Sequence, residues 1–384
     1  MQHVSDDHRR ARLAHRHALT PTSRVSTPEA VTTAMTVLHA TEPATVYLSC
    51  WARMPEMHIA DVDRALHTDR TLIKQLAMRR TLFVFPRALL PAAWSSASAR
   101  VAGTERARMA KDVVATGLTP DGNAWLDQAR AEVLAHLADL PDGRTALEIR
   151  RAIPLIDVKV AGSETWSASR VLTHLGATAD IVRGTNTGRW NTSRPKWTLM
   201  RHWLGSIPDP LDAAEGYREL VRNWLRTFGP GTEDDIVWWL GSTKAAVRMA
   251  LSALDAVTVS LDSGEVGWLL PDDLEEVADP GLWVALLPVL DPTVMGWRGR
   301  DFYLGTHRSQ LFDTRGNAGT TAWVNGRIVG CWIQDSAGVV EIRLLEKISP
   351  QAHRALTDEA HRLTTWLAGH RIETGYVSPA VRQG

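Results

Sequence analysis

The chain has 384 residues, 44% hydrophobic and 22% charged, enough for two to three ordinary globular domains at about 150 residues each. Its 43 basic and 43 acidic side chains cancel, so a uniformly basic nucleic-acid binder is excluded and any cationic surface must be local. Two cysteines, Cys50 and Cys331, are too few for a disulfide framework, and no apolar run reaches the roughly 18 residues of a membrane span.

Residues 1–24 are rich in Arg and His and lack the apolar core of a signal peptide. They read as a disordered basic arm on a cytoplasmic protein, nucleoid-associated if bacterial. His15 and His17 belong to this solvated segment rather than to a zinc site. Thr27-Pro28-Glu29 then starts a helix, with a cap, a proline in the first turn and an acid at the positive end. Val31, Ala34, Met35 and Leu38 keep one apolar face to His39. Pro43 to Arg53 is predicted as the next helix and Ile59 to Leu66 as a third. Thr81 to Phe85 reads as a strand stopped by Pro86.

The order returns twice. Thr145–Ala152 and Ser167–Leu175 are predicted helices, followed by strands at Ala179–Arg183 and Lys196–Leu199 around a Gly- and Asn-rich turn. Leu211–Thr227, Glu233–Leu240 and Lys244–Leu254 are predicted helices, followed by a hairpin of Val257–Leu261 and Val266–Leu270. Helices followed by a strand pair is the order of a winged helix, and three short copies bury their cores best by stacking. The last third alternates like a small sheet or barrel. Strands are expected at Val284–Val289, Asp301–Leu304, Thr321–Val324, Arg327–Gln334 and Val339–Leu345, with a closing helix from Pro350 to Ala368. The predicted class is therefore α+β: tandem winged helices at 25–100, 101–205 and 206–280, a C-terminal β domain at 281–370 and a tail at 371–384.

A winged helix offers its second helix to the major groove and its hairpin to phosphate or the minor groove. In the second module this selects Arg170 on the helix and Arg183, Arg189, Trp190, Arg194 and Lys196 on the hairpin. Trp190 reads equally as the residue that fastens the hairpin to the body. In the third module Lys244 and Arg248 lie one turn apart. Lys74, Arg79 and Arg80 fit a solvated face as well as a phosphate contact. The sequence carries no Walker loop, dinucleotide glycine fingerprint, nucleophile elbow or metal-ligand spacing, so no cofactor and no metal are expected.

The segment Leu38-His39-Ala40-Thr41-Glu42-Pro43, followed by Tyr47-Leu48 and Trp51-Ala52-Arg53, resembles the AlkZ/YcaQ-like family of winged-helix DNA glycosylases. Trp197-Thr198-Leu199, the run from Leu287 to Arg298 and Gly326–Trp332 resemble it too, over roughly Thr27 to Gly369. The resemblance implies DNA as partner and hydrolysis of a modified base's N-glycosidic bond. It also implies a polar–apolar–polar triplet that positions water, and brings Asp291 and Arg298 into the DNA-binding set. Family triplets are Gln-x-Gln or Gln-x-Asp; here the triplet is His39-Ala40-Thr41. A neutral histidine both orients water and accepts its proton, and Thr41 offers a hydroxyl for the same water. His39 fits equally a cap at a helix C-terminus, and Glu42 a carboxylate beside the triplet or a plain helix entry. A tandem array spans DNA as a monomer. The alternative is a winged-helix DNA-binding or regulatory protein without chemistry.

Overall fold

The computed structural model describes residues 1–159 and 166–382. The N-terminal segment is not a loose arm. β1 (Gln2–Val4) lies parallel to a strand 257 residues further on, pairing Gln2 with Val259, and Ser5 caps α1 (Asp6–Arg16). Leu13 and Ala14 are buried, and the buried Arg12 donates to Asp273 Oδ1 at 3.0 Å and to the Glu275 carbonyl at 2.7 Å. The cationic pattern that reads as solvated is satisfied by acids and carbonyls more than 250 residues away.

Thr27 caps α2 (Pro28–Ala34), which stops five residues before His39. Thr36 turns the chain in the left-handed region at φ 64°. The chain then forms β2 (Leu38–His39), followed by α3 (Pro43–Arg53) and α4 (Ile59–Asp63). β3 (Leu72–Ala77) and β4 (Thr81–Pro86) complete a sheet in the order β2-β4-β3. The registers Leu38–Val84–Lys74 and His39–Phe83–Gln75 place the first set on one face and the second on the other. α5 (Leu90–Ala93), α6 (Ala99–Ala115) and α7 (Gly122–Leu137) lead into the next unit.

There β5 (Arg144–Thr145), α8 (Ala146–Ala152) and α9 (Ser167–Ala177) precede β6 (Ile181–Asn186) and β7 (Pro195–Leu199), in sheet order β5-β7-β6. Thr145 and Glu148 close a capping box on α8. Val113, Val133, Ile149, Leu172 and Trp197 form a core separate from that of the rest of the chain. α10 (Met200–Leu204) and α11 (Ala213–Phe228) follow. β8 (Gly231–Thr232), α12 (Glu233–Leu240) and α13 (Lys244–Ala253) precede the hairpin of β9 (Val257–Leu261) and β10 (Val266–Leu269), to which β1 adds an edge.

β11 (Val284–Leu287), α14 (Pro292–Met295), α15 (Asp301–Leu304) and α16 (Arg308–Leu311) open the last unit. Asp301–Leu304, expected as a strand, is a helical turn that packs Phe302 and Tyr303 onto Trp297 at 5.1 and 5.7 Å. β12 (Thr321–Val324), β13 (Arg327–Gln334) and β14 (Val340–Leu344) complete an open antiparallel sheet in sequence order, covered by α17 (Pro350–Leu367); α18 (Pro379–Arg382) ends the described chain. The β12–β13 turn uses Asn325 and Gly326 at φ 48° and 78°, the paired left-handed residues of a two-residue hairpin. The fold is mixed α+β.

Candidate functional site

His39 sits on a strand, not at a helix end, so it caps no helix. Its partner across the sheet is Phe83, whose ring meets it edge-on at 5.1 Å, and Ala40 N donates to the Leu82 carbonyl at 2.9 Å. The imidazole is 6% exposed and its Nδ1 is buried without a hydrogen-bond partner. Burial, helped by the charge of Arg79 and opposed by Asp291, lowers its pKa to about 3, so the ring is neutral at any ordinary pH. Thr41 is exposed. Glu42 is half-buried and its Oε1 accepts from Gly375 N at 3.1 Å; burial raises its pKa, and that hydrogen bond works against the rise.

Beneath this corner lies an ion pair. Arg53 and Asp291 are both fully buried, and Asp291 accepts from Arg53 Nη2 at 2.7 Å and Nη1 at 2.9 Å, from Ser49 Oγ at 2.8 Å and from Thr293 N at 2.9 Å. Burial by itself would raise the Asp291 pKa; Arg53 and the other donors more than reverse this and hold it low. Asp291 therefore cannot touch DNA. It fastens α3 to the last unit. His17, also buried, continues the cluster. Its Nε2 donates to the Thr227 carbonyl at 3.1 Å, which leaves Nδ1 to accept from Thr293 Oγ1 at 2.9 Å.

The expected DNA contacts divide sharply. Trp190 is 8% exposed and packs on Tyr47 at 5.3 Å and Trp366 at 5.5 Å, so it holds the β6–β7 loop to the body and does not read bases. Arg170 pairs with Asp112 at 2.8 Å, Lys244 with Asp234 at 2.7 Å, Arg248 with Glu233 at 2.7 Å and Arg298 with Asp234 at 3.4 Å. Arg189 and Arg194 are exposed on the loop and, among the described residues, have no ion pair. Asn186 shapes that loop: its Oδ1 accepts from Arg194 N at 2.7 Å and its Nδ2 donates to the Thr192 carbonyl at 2.9 Å. Lys196 is half-buried; Arg183, also half-buried, lies over the Trp197 ring at 5.1 Å.

Sequence reading missed a cavity of about 520 Å³ beside Glu42, between α3, the β13–β14 hairpin and the tail. Thr45, Leu48, Trp332, Gln334 and Arg343 line it with Ile372 and Thr374. The apolar spacing of Ile372, Tyr376, Val377 and Val381 was the available signal that this tail docks. Among the described residues no group of three His, Cys, Asp or Glu side chains is placed to hold a metal ion, and no helix is long and apolar enough to cross a membrane.

Helical units that each end in a β-hairpin make this a mixed α+β protein with the element order of winged-helix folds. The family described as DNA glycosylase AlkZ-like matches residues 32–366, and the chain belongs to that family. In structure it is similar to the Streptomyces sahachiroi DNA glycosylase AlkZ, with a TM-score of 0.76 at 20% identity, covering 95% of this chain and 98% of that one. A sequence search of curated proteins found no match.

Proposed function

We propose that this protein is a monofunctional DNA glycosylase. In this reading it acts as a monomer, without metal or cofactor, on a modified base in duplex or structured DNA. The three helix-and-hairpin units are read as winged helices at 25–100, 101–205 and 206–280. The loop carrying Arg189 and Arg194 grips phosphates. The observation that carries the reading is a neutral, unpartnered imidazole at His39, two residues before an exposed Thr41 and three before a half-buried carboxylate.

Departure of the base leaves a sugar cation, and water then adds at the anomeric carbon. His39 and Thr41 hold that water. An imidazole with so low a pKa is a good hydrogen-bond acceptor but a reluctant base. It therefore orients water in the resting complex and takes the proton only as the new C–O bond forms. Glu42, next along the chain, supplies the negative charge that steadies the cation.

Burial of His39 favours a second reading, a DNA-binding or regulatory protein without chemistry. A panel of modified bases in duplex DNA, scored by alkaline cleavage, separates the two. The enzyme releases base from at least one lesion, and His39→Ala lowers that rate by about 10² to 10⁴-fold with binding retained. Wild-type binding with no release across the panel establishes the second reading.

A further inference from the structure

Between the first and second units lies a slot that no partner fills. Lys74 of β3 and Arg183 of β6 line it with Thr173, Gly176, Leu82 and Trp197. Gln75 Nε2 donates to the Gly176 carbonyl at 2.9 Å and fixes the two units across it. Neither the Lys74 nor the Arg183 side chain has a hydrogen bond or an ion pair among the described residues, and both residues are half-buried. Asp63, the carboxylate that acts on Lys74, is held by Tyr47 Oη at 2.6 Å. His67, which also feels Lys74, is kept neutral by burial with its pKa lowered to about 4, so it adds no charge. Burial, and then the charge of Arg183, lowers the Lys74 pKa to about 8. Two like charges thus meet in a half-buried seam, an arrangement that disfavours the free protein.

The slot measures about 20 Å³. That is close to the space one water needs, so it admits a single oxygen and excludes a base or a sugar. We propose that this seam is a phosphate seat: one non-bridging oxygen of the DNA backbone enters between Lys74 and Arg183. The seat rests on the DNA-binding reading above, and it pairs Arg183, which the sequence places among the DNA contacts, with Lys74, which from sequence fits a solvated face as well as a phosphate contact.

The test uses the full chain and a fluorescent duplex titrated across potassium chloride concentrations, with Lys74→Met, Arg183→Met and the double variant. The double variant binds about tenfold more weakly at low salt, and its log–log salt slope is shallower by about 0.9, the value of one phosphate. Without DNA, Lys74→Met melts at a higher temperature than wild type because it removes the repulsion. Inorganic phosphate raises the wild-type melting temperature more than that of the double variant and competes with the duplex at the seam. A salt slope equal to wild type overturns the seat, as does a lower melting temperature for Lys74→Met, which would make the lysine structural. Protection by inorganic phosphate with no effect of the variants on duplex binding assigns the slot to a free anion and overturns the DNA contact. Failure of the wild-type chain to bind any duplex counts instead against the proposed function.

Discussion

Replacing Asp291 with asparagine tests whether this buried carboxylate is a fastener and not a DNA contact. The carboxylate accepts from Arg53 twice, Ser49 and Thr293, all within 2.9 Å. Asparagine keeps one oxygen for Arg53 Nη2 and Thr293 N and turns its NH₂ toward Ser49 and Arg53 Nη1; the serine hydroxyl can rotate to accept, but the Arg53 Nη1 contact becomes donor against donor. Arg53 remains buried and charged with no counter-ion. Breaking a buried pair from one side costs about 3–5 kcal/mol. With a urea m-value of about 3 kcal/mol/M, the unfolding midpoint falls by about 1–1.7 M. The double variant Arg53→Met/Asp291→Leu recovers much of this, because no uncompensated charge is left. Tryptophan fluorescence in a urea titration reads both. A midpoint for Asp291→Asn within about 0.3 M of wild type would refute the argument. So would weaker DNA binding at unchanged stability.

Acid should unfold the protein through its buried histidines. His17 and His39 titrate near 6.5 when unfolded and at about 3 when folded, so the unfolded state binds more protons between those values and stability falls as pH drops through that window. These two contribute about 2.7 kcal/mol per pH unit near pH 5 and His67, lowered to about 4, adds nearly as much as either one, so His17→Gln should cut the slope of urea midpoint against pH by about a third; a flat profile sinks the idea. Arg189→Ala/Arg194→Ala should lower the salt slope of duplex binding by about 1.8. Lys244→Ala/Arg248→Ala should leave it unchanged, since Glu233 and Asp234 already neutralise those side chains. Deleting residues 1–24 should lower the urea midpoint by exposing the face that Leu13 and Ala14 cover; a truncated chain as stable as the whole one would restore the loose-arm reading.

Elements with local signals were legible to the residue. Glu233–Leu240 has its capping box at Thr232 and Asp235 and its left-handed stop at Gly241, and Pro43–Arg53 has a proline in its first turn. Elements decided by distant partners were not. The apolar period through Val31, Met35 and Leu38 continues smoothly past Thr36, and only pairing with β4 converts Leu38–His39 to strand. Lys74 interrupts the alternation that would have marked β3, because it faces a seam with the second unit and not solvent. The same cause hid the role of Asp291. Nothing in its neighbourhood in sequence indicates that the matching charge sits 238 residues earlier.

The balance of 43 cations and 43 anions takes on meaning once pairing is considered. Arg12, Arg16, Arg53, Arg170 and Arg248 are all met by carboxylates, so under the proposed function the DNA footprint is drawn from cations left without one, and their total number says little about it. If Arg189, Arg194, Lys196 and the Lys74–Arg183 seat form the whole footprint, four phosphates are neutralised and the salt slope of duplex binding is about −3.6. A slope steeper than about −6 would require more contacts than the wing and seam hold. In that case further cations must join, either exposed ones already without an ion pair among the described residues, such as Arg108 and Arg201, or paired ones such as Lys244, whose bond to Asp234 would open. The Lys244→Ala/Arg248→Ala variant decides between the two: it changes the slope only if those pairs open.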